Sequence, residues 1–164
     1  MTRADDFRRA MVDHHGAVSA YVRRRLPDAE VEDAVAEVLA RAWAGWPPDG
    51  DPLPWLYGIA RNVVLEGYRG RERDARSLGA AAALERRRRS DGPEDITGVM
   101  AVGQAMARLR PADREILRLA AWEGLDDNGL AAALGIRRGT ARVRLHRARA
   151  RLAAELDRME RQEG

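Results

Sequence analysis

From Arg137 the chain runs Arg137-Arg138-Gly139-Thr140-Ala141-Arg142-Val143-Arg144-Leu145-His146-Arg147-Ala148-Arg149, and no acid intervenes before Arg151. A guanidinium donates in a planar fork that fits phosphate oxygens and the O6 and N7 of guanine. Such a run suits binding to a nucleic acid rather than transformation of a substrate. His14, His15 and His146 are too scattered to suggest a metal site, no cysteine is present, and no Gly-rich phosphate loop or nucleophile motif occurs. The expectation is a protein that is not an enzyme, with no catalytic residue, no cofactor and no metal.

On a helix through this run, Ala141, Leu145, Ala148 and Leu152 fall in one narrow stripe that must pack on other elements. Thr140, Val143, Arg144 and Arg147 are then exposed, Arg142 and Arg149 flank the stripe, and Arg137 and Arg138 stand at the helix entrance. Arginine there opposes the helix dipole, a conflict that a nearby phosphate resolves. The N-terminal half of a recognition helix normally reaches base edges, and Val143 suits a thymine methyl. The preceding stretch from Leu125 to Ile136 reads as a helix closed by a turn at Gly135, which makes a helix-turn-helix. A solvated arginine-rich helix ending a bundle is the competing reading.

The elements that position these residues read as helices almost throughout, because apolar residues recur at three- and four-residue spacing and no stretch alternates convincingly. Phe7, Met11, Val18 and Tyr21 share a face of the first helix, which Pro27-Asp28 interrupts. Val31, Val35, Val38, Ala42 and Trp46 form the stripe of a second, with Glu32, Asp33, Glu37 and Arg41 outside it. Pro47 to Pro52 must be a loop, since proline lacks the amide donor and clashes with the preceding turn. A helix is predicted from near Pro54 through Trp55, Tyr57, Arg61 and Asn62 towards Tyr68 and Arg69. The Ala-, Arg- and Gly-rich stretch 76–98 reads as a flexible linker. Beyond it, Val99, Val102, Met106 and Leu109 make one stripe, and Pro111 opens a helix carrying Ile116, Leu119 and Ala120. The fold class expected is all-α: two small helical domains, residues 1–75 and 99–160, joined by that linker.

Charge supports two polyanion contacts. Residues 1–60 carry −3, 61–90 carry +5, 91–136 carry −4 and 137–164 carry +5, which together make the net +3. The acidic segments are free to face something other than nucleic acid. Codon bias in an Ala-, Gly- and Arg-rich chain is the plain alternative.

The run Leu134-Gly135-Ile136, Gly139-Thr140 and Arg144-Leu145-His146-Arg147-Ala148-Arg149 resembles the σ4 signature of extracytoplasmic-function sigma factors, in the sigma-70 family. Upstream, Glu32-Asp33-Ala34-Val35-Ala36-Glu37-Val38-Leu39-Ala40-Arg41-Ala42-Trp43 is similar to the family's polymerase-binding helix. Trp55-Leu56-Tyr57-Gly58-Ile59-Ala60-Arg61-Asn62 resembles its σ2 segment that engages the −10 element. The order and spacing match. Ala36 stands where the family often has glutamine, Gly129 replaces a usual acidic or polar residue, and Ala141 is smaller than the usual valine. Val143 and Arg137 replace residues that are often serine or proline, so the promoter sequence cannot be borrowed from relatives.

The resemblance implies a σ2-like bundle in residues 1–75 and a σ4-like helix-turn-helix in 99–160. Glu32, Asp33, Glu37 and Arg41 would contact core RNA polymerase; an ordinary solvated face with a Glu37–Arg41 pair is the alternative. Trp55, Tyr57, Arg61, Asn62, Arg69, Arg71 and Arg73 would serve the −10 element and its melted single strand, with the loop from Trp46 to Leu53 as a base pocket. Arg137, Arg138, Thr140, Arg142, Val143, Arg144 and Arg147 would read the −35 element of double-stranded promoter DNA. An anti-sigma factor is a family expectation. The rival class is a polymerase-independent helix-turn-helix regulator, although the second helix offers no second apolar seam for a dimer. A cytoplasmic location with no membrane insertion is expected, since no secretory signal or apolar span is visible.

Overall fold

A computed structural model of the chain describes residues 2–78 and 97–163. The regular elements among them are α1 (Arg3–Arg23), α2 (Asp28–Gly45), α3 (Pro52–Leu78), α4 (Thr97–Arg108), α5 (Pro111–Ala121), α6 (Asp127–Leu134) and α7 (Arg138–Glu163). The fold is all-α, as the spacing of apolar residues predicts. It divides into two compact units, α1–α3 and α4–α7. Most of the expected linker, including Arg86 to Arg89, lies outside the described residues.

In the first unit, Thr2 opens α1 with a capping box: its hydroxyl accepts from the Asp5 amide while Asp5 accepts from the Thr2 amide. Val18, Tyr21 and Val22 of α1 meet Val31, Val35, Val38 and Ala42 of α2 and Leu56, Tyr57, Ala60, Val63 and Val64 of α3, all buried. Each fully buried aliphatic side chain of valine or leucine size contributes about 1.5–3 kcal/mol, so this three-helix core carries the unit. Tyr68 ties α3 to the end of α1, its hydroxyl donating to the Arg25 carbonyl at 2.7 Å.

Helix α3 begins at Pro52, two residues before the Pro54 start that the sequence suggests. The first amides of a helix have no partner within it, so Pro52 and Pro54 both sit where the missing donor costs nothing. Asp51 accepts from the Leu53 amide at 3.0 Å, covering a first-turn donor. The preceding loop is pinned by aromatic rings. Trp46 is edge-on to Phe7 with centroids 5.4 Å apart and lies 6.2 Å from Trp55, while Phe7 meets Trp43 at 5.1 Å.

In the second unit one expectation is corrected. Leu109, just past the end of α4, is buried as expected, but Val102 is exposed and Ala105 takes its place on the buried face of α4. Small Ala105, fully buried, lets α4 pack against α7, whereas Val102 projects away from the contact. The side chain of Val99 lies outside the described residues. Arg114 of α5 closes the end of α4 by donating to the carbonyls of Met106, Ala107 and Leu109, which lie where the helix runs out of its own amide donors.

Candidate nucleic-acid interface

Helix α6 is set by its two ends. The Asp126 side chain accepts from the Gly129 amide at 2.8 Å, and Gly135 ends the helix in the left-handed region at φ 63°. The Ile136 amide then donates to the Ala131 carbonyl, so the turn into α7 is a Schellman closure. Gly129 is therefore not a costly residue in the helix middle: it occupies the third position of the first turn. A Cβ there would stand 3.1 and 3.2 Å from Leu125 side-chain atoms. Leu125 thus opposes the alanine that helix propensity alone would favour at this position.

Helix α7 buries Ala141, Leu145 and Ala148 against the unit, as its stripe predicts, with Leu152 half-buried. Arg137, Arg138, Thr140, Arg142, Val143, Arg144 and Arg147 are all exposed. No acid occupies the first turn of α7. Arg142 stands apart from the rest: its Nε donates to Asp127 Oδ2 at 2.8 Å, across the turn and onto the start of α6. Among the described residues, Arg137, Arg138, Arg144 and Arg147 have no ion-pair partner. The second half of α7 is anchored by Arg151, which donates to both oxygens of the buried Asp113 at 2.7 and 2.8 Å.

On α3 the expected residues separate by environment. Arg69, Arg73 and Asn62 are exposed, and Arg69 and Arg73 line an open groove with Arg76, Glu66 and Glu72. Arg71 is paired with Glu30 of α2 and lies over the Tyr68 ring, its guanidinium carbon 4.8 Å from the centroid. Arg61 and Trp55 are half-buried. Tyr57 is a correction. It is 4% exposed and packs against Tyr21 with centroids 5.5 Å apart, so its ring has no open face on which a base can stack.

On α2, Glu32, Asp33 and Glu37 face solvent, whereas Arg41 turns inward to α3. It donates to Glu37 at 2.7 Å and to both oxygens of Glu66 at 2.8 and 2.6 Å. The i,i+4 pair with Glu37 was legible in the sequence; the link to Glu66 was not. These two acceptors raise the guanidinium's pKa, and Arg41 in turn holds the Glu66 carboxyl below the usual glutamate value.

The Sigma-70 region 2 family model matches residues 11–74, and the Sigma-70, region 4 model matches residues 100–152. The RNA polymerase sigma factor NccH of Alcaligenes xylosoxydans xylosoxydans is 31% identical, over 89% of this chain and 84% of its own length. The chain belongs to the extracytoplasmic-function group of sigma-70 factors. The ECF RNA polymerase sigma factor SigL of Mycobacterium tuberculosis is 29% identical, over 84% of this chain and 82% of its own. The solved structure of CnrH in complex with the cytosolic domain of CnrY superposes with a TM-score of 0.59 at 28% identity, covering 92% of this chain and 87% of that one.

This sigma factor is thus a subunit that binds core RNA polymerase and takes part in promoter recognition, and it is not an enzyme. Among the described residues no helix is long and apolar enough to cross a membrane. What sequence reasoning missed in this sigma factor are the partners of its arginines: Glu66, Glu30, Asp113 and Asp127. Each pair joins two different helices, so no periodicity within one helix points to it.

Proposed function

We propose that this sigma factor selects promoters through two spaced contacts, with residues 99–160 reading the −35 element and residues 1–75 binding core polymerase and the −10 element. The observation that carries this reading is the face of α7. Arg144, Arg147, Thr140 and Val143 are exposed around the buried Ala141, Leu145 and Ala148, and among the described residues no carboxylate neutralises the two arginines. Such a face docks in the major groove with arginine forks at base edges and phosphates.

The −10 contact would come from Arg61, Asn62, Arg69 and Arg73 on phosphates, with Arg71, paired with Glu30, bracing α3 on α2, Trp55 beside the melted strand and the loop from Trp46 to Leu53 as the pocket for an unstacked base. Tyr57 contributes by seating α3. The exposed carboxylates Glu32, Asp33 and Glu37 form the polymerase-facing surface of α2, and Arg41 holds that surface on α3. Joined by residues 76–98 and held on one polymerase, two weak DNA contacts act together by effective concentration. An anti-sigma protein is a further partner on this reading, supported by the likeness to CnrH, which was solved with the cytosolic domain of CnrY.

The test is to mix the purified protein with cognate core polymerase and map transcription starts on fragmented genomic DNA. Starts that share two spaced upstream elements and vanish without the protein are the expected result. Tight DNA binding by the protein alone, with no complex formed on active core, overturns it in favour of an independent regulator.

A further inference from the structure

We propose that Asp127 is an internal counter-charge that keeps Arg142 from acting as a DNA phosphate contact, and so lowers the affinity of α7 for DNA of any sequence. The inference rests on the reading of α7 as the −35 helix. Within that helix it separates Arg142 from the arginines beside it.

The geometry of the pair carries the argument. Arg142 is exposed near the start of α7. Its Nε is engaged by Asp127 Oδ2 at 2.8 Å. Asp127 is the first residue of α6, where the helix dipole stabilises a carboxylate. Its side chain is 26% exposed against 63% for Arg142, so the acid is the fixed member and the guanidinium the one drawn to it. A phosphate approaching Arg142 therefore also approaches a carboxylate.

Binding to a duplex gains free energy when protein cations displace condensed counterions, with a salt slope of about 0.9 per phosphate neutralised. A guanidinium already balanced inside the protein displaces none. Among the described residues, nothing balances Arg138, Arg144 or Arg147 in this way. The consequence is that one exposed cation of the helix is silenced towards DNA of any sequence, while Arg138, Arg144 and Arg147 remain available to it.

The experiment measures binding of the full-length protein to two labelled duplexes across a salt series. One duplex carries the upstream element recovered from the mapped starts; the other has that element scrambled. Asp127→Asn removes the charge, keeps the size and leaves the Asp126 cap in place. The expected result is tighter binding to the scrambled duplex and a salt slope steeper by about 0.9, the increment for one added phosphate contact. With Arg142→Gln already present, Asp127→Asn should leave the slope unchanged. Arg142→Gln alone should also leave it unchanged, whereas Arg147→Ala should lower it by about 0.9.

Weaker binding by Asp127→Asn would overturn the proposal, because it would make Asp127 a residue that aims Arg142 at a phosphate. A slope lowered by Arg142→Gln alone would overturn it equally. Arg144→Ala separates this from failure of the underlying reading. If Arg144→Ala loses discrimination between the duplexes while Asp127→Asn changes nothing, only the counter-charge is refuted; if Arg144→Ala has no effect on either duplex, the −35 assignment of α7 falls with it.

Discussion

Arg41 on α2 and Glu66 on α3 face each other fork to fork, the two terminal nitrogens of one at 2.8 and 2.6 Å from the two oxygens of the other. Glu37 adds a third bond to the same guanidinium from one turn away. The arrangement makes Arg41 a brace between two helices, one proposed to face polymerase and the other promoter DNA. Arg41→Ala and Glu66→Gln should each lower the thermal midpoint of the first unit, and the double variant should be little worse than either single one. Full additivity in calorimetry would show that the pair does not couple.

The same contact has a pH signature. Glu66 is held below its ordinary value of 4.5, chiefly by the hydrogen bonds from Arg41. A carboxylate with a depressed folded-state pKa contributes stability that is present above its unfolded value and lost as pH falls through the folded one. Acid unfolding of the wild type should therefore carry a contribution beginning below about pH 4.5 that is absent in Glu66→Gln. Identical acid limbs for the two proteins would contradict this.

Asp113 is buried at the start of α5 and accepts from Arg151 of α7 and from Arg110, the residue that precedes α5. Asp113→Ala removes these charge-assisted bonds. Arg151, at 44% side-chain exposure, regains water, so the loss should be moderate, about 1–3 kcal/mol by urea unfolding. Because Arg151 anchors the second half of α7, the helix proposed to read the −35 element, promoter output should fall as well. Unchanged stability would mean that the pair is dispensable for seating α7.

Gly129 tests whether local propensity or packing governs the first turn of α6. Propensity alone says that Gly129→Ala stabilises by about 1 kcal/mol. Contacts of 3.1 and 3.2 Å between the added Cβ and Leu125 oppose that gain. No net stabilisation is expected. A full gain of about 1 kcal/mol in denaturant titration would show that Leu125 moves aside freely.

Arg144→Ala should reduce the preference among promoters more than it reduces core polymerase binding, because Arg144 is exposed on α7 and has no carboxylate partner among the described residues. Transcription from a panel of mapped promoters checks this, and equal output on all of them would remove Arg144 from the base-reading set.

By itself the sequence determined the helices and the faces they turn inward. Stripes such as Val31, Val35, Val38 and Ala42, or Ala141, Leu145 and Ala148, follow from 3.6-residue periodicity, which is local and survives without knowledge of the neighbours. The Gly135 turn and the proline start of α3 were legible for the same reason: backbone sterics act within a few residues. Family motifs, also local strings, carried the functional class. Only the tertiary structure decided which exposed-looking groups are occupied. Arg41, Arg71, Arg142 and Arg151 meet carboxylates 25, 41, 15 and 38 residues away in the chain. Tyr57 was assigned to DNA by its string but belongs to the core, because its ring meets Tyr21 of another helix. Ala105 replaced Val102 on the buried face of α4 because close approach to α7 selects a small side chain, a condition set by the neighbouring helix.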